Sequence, residues 1–177
     1  MIIAFTGQPG AGKTTAAQII QVELGKRAVI ISFADPVYQI LQTIYTGYEV
    51  HFELVKIDKM ELKSALPDKY GNTPRDLLRL IGDFGRSKIH ADVWVDIAMK
   101  EIDKYRDRAV VVIDDLRFPN ELYALMDRGA KIREIVRPGL GRSDHFSDNA
   151  LSGHQHQQIL NTNFAELQKQ VLDIIYE

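Results

Sequence analysis

The chain has 177 residues, no cysteine, and 22 basic against 24 acidic side chains for a net charge of −2. That length suits one domain with a real core, the even mix of charges argues against a nucleic-acid partner, and the missing thiols exclude disulfides and thiolate metal sites. With no basic leader, no cleavage site and no apolar run near the ~18 residues of a membrane span, the expectation is a cytoplasmic protein without a membrane partner.

The first element is an apolar strand over Ile2–Thr6, broken by "GQPGAGKTT" and resumed as a helix from Thr14 to Leu24. Gly7, Gly12, Lys13 and Thr14 fit G-x-x-x-x-G-K-[ST], a loop whose backbone N–H groups cradle phosphates. Its lysine reaches the outer phosphates and its hydroxyl holds Mg²⁺. Gly10, Ala11 and Thr15 complete the expected cradle. Ala16, Ala17, Ile19, Ile20 and Leu24 recur at helical spacing, and Gly25 closes the helix as a C-cap. Strand, glycine loop and helix in this order are what a phosphate-binding loop with Mg²⁺ requires. A second strand is expected over Ala28–Ser32, followed by "SFADPVYQIL". Asp35 there reads equally as the N-cap of a helix begun by Pro36 or as a carboxylate at a strand's carboxyl end that positions an attacking oxygen.

Residues 46–72 carry the weakest pattern, with 56–65 read as helical. Thr73, Pro74 and Asp76 then make a helix start of hydroxyl cap, proline at N1 and acid at N3. Local structure does not explain Arg75, Arg79 and Arg86 around "GDFG", nor the lone Trp94. Arginine forks suit phosphates and an aromatic face suits a base, although the core reading leads for Trp94.

The third strand, Ala109–Ile113, runs into "DDLRFPNE". An apolar strand ending in acid has the form of a Walker B segment, with Asp114 and Asp115 competing for the metal because alternation aims them oppositely. Arg117 reads equally as a site residue and as a surface arginine ahead of the Pro119 helix. Strands over Lys131–Val136 and Gln158–Leu160 follow. Between them lies "IVRPGLGRSDHFSD", whose Arg137, Arg142 and His145 make a lid candidate over about 137–150. His154 and His156 lack the spacing of a zinc site. The last helix runs from a cap at Asn163, with Glu166 at N3, to Ile175.

Strands alternating with helices predict a three-layer α/β P-loop fold, with a parallel sheet of about five strands and helices on both faces. The expected organisation is a single domain over 1–177, with an inserted acceptor-binding region at about 46–95. A guanine-reading N/T-K-x-D after the third strand is missing, which disfavours a GTP switch. A nucleotide-binding module without turnover and a P-loop kinase for another small phosphorylated metabolite stay open, the latter as the stronger alternative.

In order, "GQPGAGKTT", "SFADPVYQIL", "TPRDLLRLIGDFGR" with "DVWV", "DDLRFPNE", and "RPG" with "HFSD" resemble the bacteriophage-type deoxynucleoside monophosphate kinases. The likeness spans most of the chain, departing at Gly82 and Phe84, where a small polar residue and a tryptophan are expected. The resemblance implies transfer of the γ-phosphoryl of ATP, with Mg²⁺, to a small-molecule nucleoside monophosphate. It places Asp35, Arg75, Arg86 and Trp94 at the acceptor nucleotide and Arg137 and Arg142 in the lid. Base preference and a homodimer stay open.

Overall fold

A computed structural model describes residues 1–44, 71–144 and 146–177. The expected helix over 56–65, most of the weakly patterned 46–72 stretch and His145 lie outside the described residues. The chain forms two compact units, Met1–Phe33 with Val95–Glu177, and Ala34–Trp94.

The first unit is built on a five-stranded parallel sheet in the order β2-β3-β1-β4-β5, with β1 (Ile2–Thr6) at its centre. The others are β2 (Ala28–Ile31), β3 (Val110–Ile113), β4 (Lys131–Val136) and β5 (Gln157–Leu160). A central parallel strand must be apolar on both faces, and β1 is buried throughout. Its side chains alternate as the pleat demands. Ile2 and Ala4 join Val111 and Ile113 on one face, whereas Ile3 and Phe5 join Val112 and Ile135 on the other.

Helices close both faces. Helix α1 (Lys13–Leu24) brings Ala16, Ala17, Ile19 and Ile20 onto the second face, where the C-terminal helix (Phe164–Tyr176) adds Leu167, Val171 and Ile174. The opposite face is covered by Val95, Ala98, Met99 and Ile102 of the Val93–Tyr105 helix and by Leu122 and Leu125 of the Pro119–Met126 helix. Each fully buried side chain of the size of Phe5 or Ile135 contributes roughly 1.5–3 kcal/mol. The three-layer expectation holds, with strand ends within a residue of those expected.

The parallel registers set Ala4 and Ile31 both level with Ile113. The chain therefore leaves β1, β2 and β3 at one sheet edge, which gathers Gly7, Ser32 and Asp114.

In the second unit, α2 (Asp35–Ile44) and α3 (Pro74–Phe84) pack through buried Leu41 and Leu77, with Leu78 and Ile81 beside them. This unit starts at Ala34, where Leu41 gives α2 its buried neighbour. Helix α3 starts as expected: Thr73 Oγ1 accepts from Asp76 N–H at 3.2 Å, and Asp76 Oδ2 accepts from Thr73 N–H at 3.1 Å. Both orphan donors are met. A π turn, Gly85–Ile89, follows, and α4 (Val93–Tyr105) comes after it. After β3 come α5 (Pro119–Met126), the single-turn α6 (Phe146–Asn149) and α7 (Phe164–Tyr176). Asn163 caps α7 as expected, its side chain accepting from Glu166 N–H at 3.0 Å.

The capping alternative for Asp35 is corrected. Tyr38 N–H donates to the Ala34 carbonyl at 3.0 Å, so Ala34 holds the cap position and Asp35 is the first helical residue. An acid in that first turn favours the helix through its dipole instead.

Candidate active site

The turn between β1 and α1 depends on glycine. Gly7, Gly10 and Gly12 have φ of 131°, 81° and 110°, a region costly for other residues. At Gly7 a Cβ would also overlap the Ile135 carbonyl, and at Gly12 it would crowd the Asn161 side chain. Loops with this backbone can present N–H groups to an anion, and α1 starts at Lys13, adding the positive end of its dipole.

Lys13 Nζ donates to the carbonyls of Gly7 at 2.7 Å and Gln8 at 3.0 Å, which holds its charge over the loop. Burial pushes this ammonium down from 10.5 to about 8. The Arg117 guanidinium adds to the fall, while Asp148, Asp114 and Asp115 oppose it.

The two aspartates after β3 do different things. Asp114 Oδ2 accepts from Thr14 Oγ1 at 3.0 Å, and its Oδ1 accepts from Ser32 Oγ at 2.7 Å. Asp115 turns to the backbone, accepting from Phe33 N–H at 2.9 Å. One carboxylate therefore meets the loop hydroxyl, and the other pins the chain leaving β2. Among the described residues no three His, Asp or Glu side chains form a ready metal cage.

Arg117 is drawn into the site. Its guanidinium donates to Asp148 Oδ1 at 2.8 Å, and its N–H and that of Phe118 donate to buried Glu121 at 2.9 and 3.0 Å. Arg137 reaches the loop from the other side, donating to the Gly10 carbonyl at 3.5 Å, and the Leu140 side chain lies beside Gly10. Arg142 is exposed. The expected lid thus meets the loop through Arg137 and Leu140.

Asp35, Arg75, Arg86 and Trp94 belong to the second unit. Trp94 is buried at 4% exposure, and its indole N–H donates to the Gly82 carbonyl at 2.9 Å. A Cβ on Gly85 would overlap the indole ring, so this second glycine of "GDFG" is the surface on which Trp94 packs. Trp94 is thus a core residue of its unit, while a Cβ on Gly82 would meet the Arg86 guanidinium instead. The π turn, in which His90 N–H donates to the Gly85 carbonyl at 3.1 Å, carries Arg86, whose guanidinium lies 3.6 Å from Asp83. Such turns break the helical repeat and often mark functional positions. Arg75 and Arg79 are half-exposed along α3.

Several residues at the loop escaped the sequence reading. Gln8 occupies a variable motif position, and Ser143, Asp148 and Asn149 bond to it or to one another. Asn161 Nδ2 donates to the Ala11 carbonyl at 2.7 Å. Asn161 follows β5 directly, so the rule of inspecting residues after each strand would have found it. His154 lies by Tyr123, with Nε2 3.1 Å from the phenol oxygen, and burial holds His156 below the usual histidine range.

No family model matches the chain. A curated protein of Acanthamoeba polyphaga mimivirus, named "Putative deoxynucleotide monophosphate kinase", is 28% identical over 196 aligned positions, spanning 99% of this chain and 96% of that protein. Its name agrees with the resemblance carried by the motifs. Among solved structures, the tunicamycin resistance protein of Deinococcus radiodurans superposes with a TM-score of 0.50 at 15% identity, over 98% of this chain and 94% of its own. That likeness concerns the fold. Dephospho-CoA kinase from Campylobacter jejuni gives 0.48 at 20% identity over 99% and 96%.

Proposed function

We propose that the chain is an ATP-dependent kinase moving the γ-phosphoryl of ATP to a deoxynucleoside monophosphate, giving the diphosphate. The observation that carries this is the joining of a left-handed glycine loop to an acid-tipped strand, through the 3.0 Å bond between Thr14 and Asp114. The near full-length similarity to a protein named as a deoxynucleotide monophosphate kinase supports kinase chemistry on a nucleotide-like substrate.

The roles follow from charge and placement. Gly7, Gly10, Ala11, Gly12 and Thr15 line the cradle, and Lys13 neutralises charge on the outer phosphates. One hydroxyl and one carboxylate suit Mg²⁺, which takes few protein oxygens and fills its shell with phosphate oxygens and water. Thr14 and Asp114 would hold it, with Asp115 kept to the backbone; the ion would supply charge neutralisation at the transferring group. On the acceptor side, Asp35 and the arginines Arg75 and Arg86 hold the nucleoside monophosphate, with Trp94 supporting the Arg86 turn from inside. Arg137 and Arg142 bring positive charge from the lid.

Arg86→Ala tests the acceptor half. Loss of a phosphate fork is expected to raise KM for the monophosphate about tenfold or more and to leave KM for ATP unchanged. Equal effects on both substrates would place Arg86 outside the acceptor site. An acceptor screen in which only non-nucleotide phosphates stimulate ADP formation would replace this reading with a kinase for another metabolite.

A further inference from the structure

The phosphate loop, the turn after β3 and the stretch around α6 meet in one polar network. Asp148, with a side chain only 3% exposed, accepts from Arg117 at 2.8 Å and from Ser143 Oγ at 2.7 Å. Gln8 Nε2 donates to the Asp148 carbonyl at 3.1 Å and to Asn149 Oδ1 at 3.2 Å, and Gln8 Oε1 accepts from Ser143 N–H at 2.9 Å. Asn149 closes the ring by donating to the Ser143 carbonyl at 2.6 Å.

A carboxylate removed from water is costly unless bonded to a charge and a donor, and Asp148 has both. Arg117, by contrast, is 42% exposed and could be solvated. Its tether therefore serves placement more than its own stability. The Arg117 charge also helps to hold the Lys13 ammonium below its ordinary value.

We propose that Asp148 is a positioning residue of the phosphate site: it fixes the Arg117 guanidinium in the network that borders the phosphate loop and, through Ser143 and Gln8, ties α6 to the loop. A nucleoside triphosphate then meets two placed cations rather than one. This rests on the kinase reading only for the identity of the polyphosphate.

The test exploits a difference in sign. An acid that is merely near the phosphates repels them, so neutralising it would tighten binding. An acid that places a cation weakens binding when it is lost. Mg·ATP is titrated, without acceptor, into the full chain and into Asp148→Asn, Arg117→Ala, the double variant and Gln8→Ala, with thermal melting alongside. Asp148→Asn is expected to weaken binding about tenfold at a near-normal melting temperature, and Arg117→Ala to weaken it by as much at a lowered one, since it leaves the buried carboxylate without its cation. The double variant is expected to be no weaker than the worse single, because the two act as a unit. Gln8→Ala reads the same tie without removing a buried charge, and a weakening of about threefold is expected. Unchanged or tighter binding in Asp148→Asn, additive weakening in the double variant, or an unaffected Gln8→Ala would each overturn the proposal. If Asp148→Asn does not fold, the Arg117→Ala and Gln8→Ala arms decide. Binding that follows this pattern in a protein that transfers nothing would remove the kinase reading alone, and no Mg·ATP binding by the unmodified chain would remove both.

Discussion

The phosphate loop and the Arg86 turn both rely on glycine, for different reasons. At Gly7 and Gly12 the residue is required by left-handed backbone, the conformation that the phosphate-loop motif imposes. At Gly85 the backbone is right-handed, and glycine is required because Trp94 lies against it. A glycine spaced by a known loop motif reports on phosphate, whereas a glycine beside a buried aromatic reports on packing. The two regions should fail differently when altered.

The largest effect is expected at the loop. Lys13→Ala removes a charge aimed at the outer phosphates and no apolar packing, so transfer should fall roughly a thousandfold with the fold intact. A variant that keeps normal turnover and melting would end the assignment of the loop as a catalytic phosphate site.

Asp35→Asn comes next, on the acceptor side. With Asp35 inside the first turn of α2, the change keeps shape and removes charge. A melting temperature and ATP affinity near normal are expected, with kcat/KM for the monophosphate down roughly a hundredfold. Near-normal kinetics would leave Asp35 as a first-turn helix acid only.

The depressed Lys13 ammonium separates activity from stability across pH. Its folded pKa of about 8 lies below the ordinary 10.5, so between these values the unfolded chain binds more protons and folding stability should rise with pH. Activity should move the opposite way, since kcat/KM for ATP reports the free enzyme and needs the charged form. A decline of up to tenfold per pH unit above about 8, absent from the Lys13→Ala background, is the expected profile. A profile that stays flat to pH 9.5 would show that the lysine is not held as the loop geometry implies.

The smallest effect belongs to Gly85→Ala, which forces a methyl against the Trp94 ring. Overpacking of this kind costs about 1–3 kcal/mol, read as a lower melting temperature, with ATP affinity unchanged. A fully stable variant would remove Gly85 from the packing account.

The loop and the strands were legible because their signals are local. Buried parallel strands read as apolar runs, and glycines with forced φ sit at fixed spacing. The Thr73 and Asn163 caps were legible for the same reason, each being closed within three residues. What stayed hidden spans the chain. Gln8 meets Asn149 across 141 positions, and Asn161 meets Ala11 across 150. No periodicity carries such bonds. Which of Asp114 and Asp115 meets the loop hydroxyl depended on the position of Thr14, and the start of the second unit at Ala34 on the packing of Leu41 with Leu77.

The central claim is transfer between two nucleotides. The full chain should be incubated with γ-labelled Mg·ATP and each deoxynucleoside monophosphate in turn, and the label followed by separating the products. Label appearing in a deoxynucleoside diphosphate, together with equal ADP and only when acceptor is present, is the predicted result. Label released solely as inorganic phosphate, or no turnover with any monophosphate while Mg·ATP still binds, would contradict it.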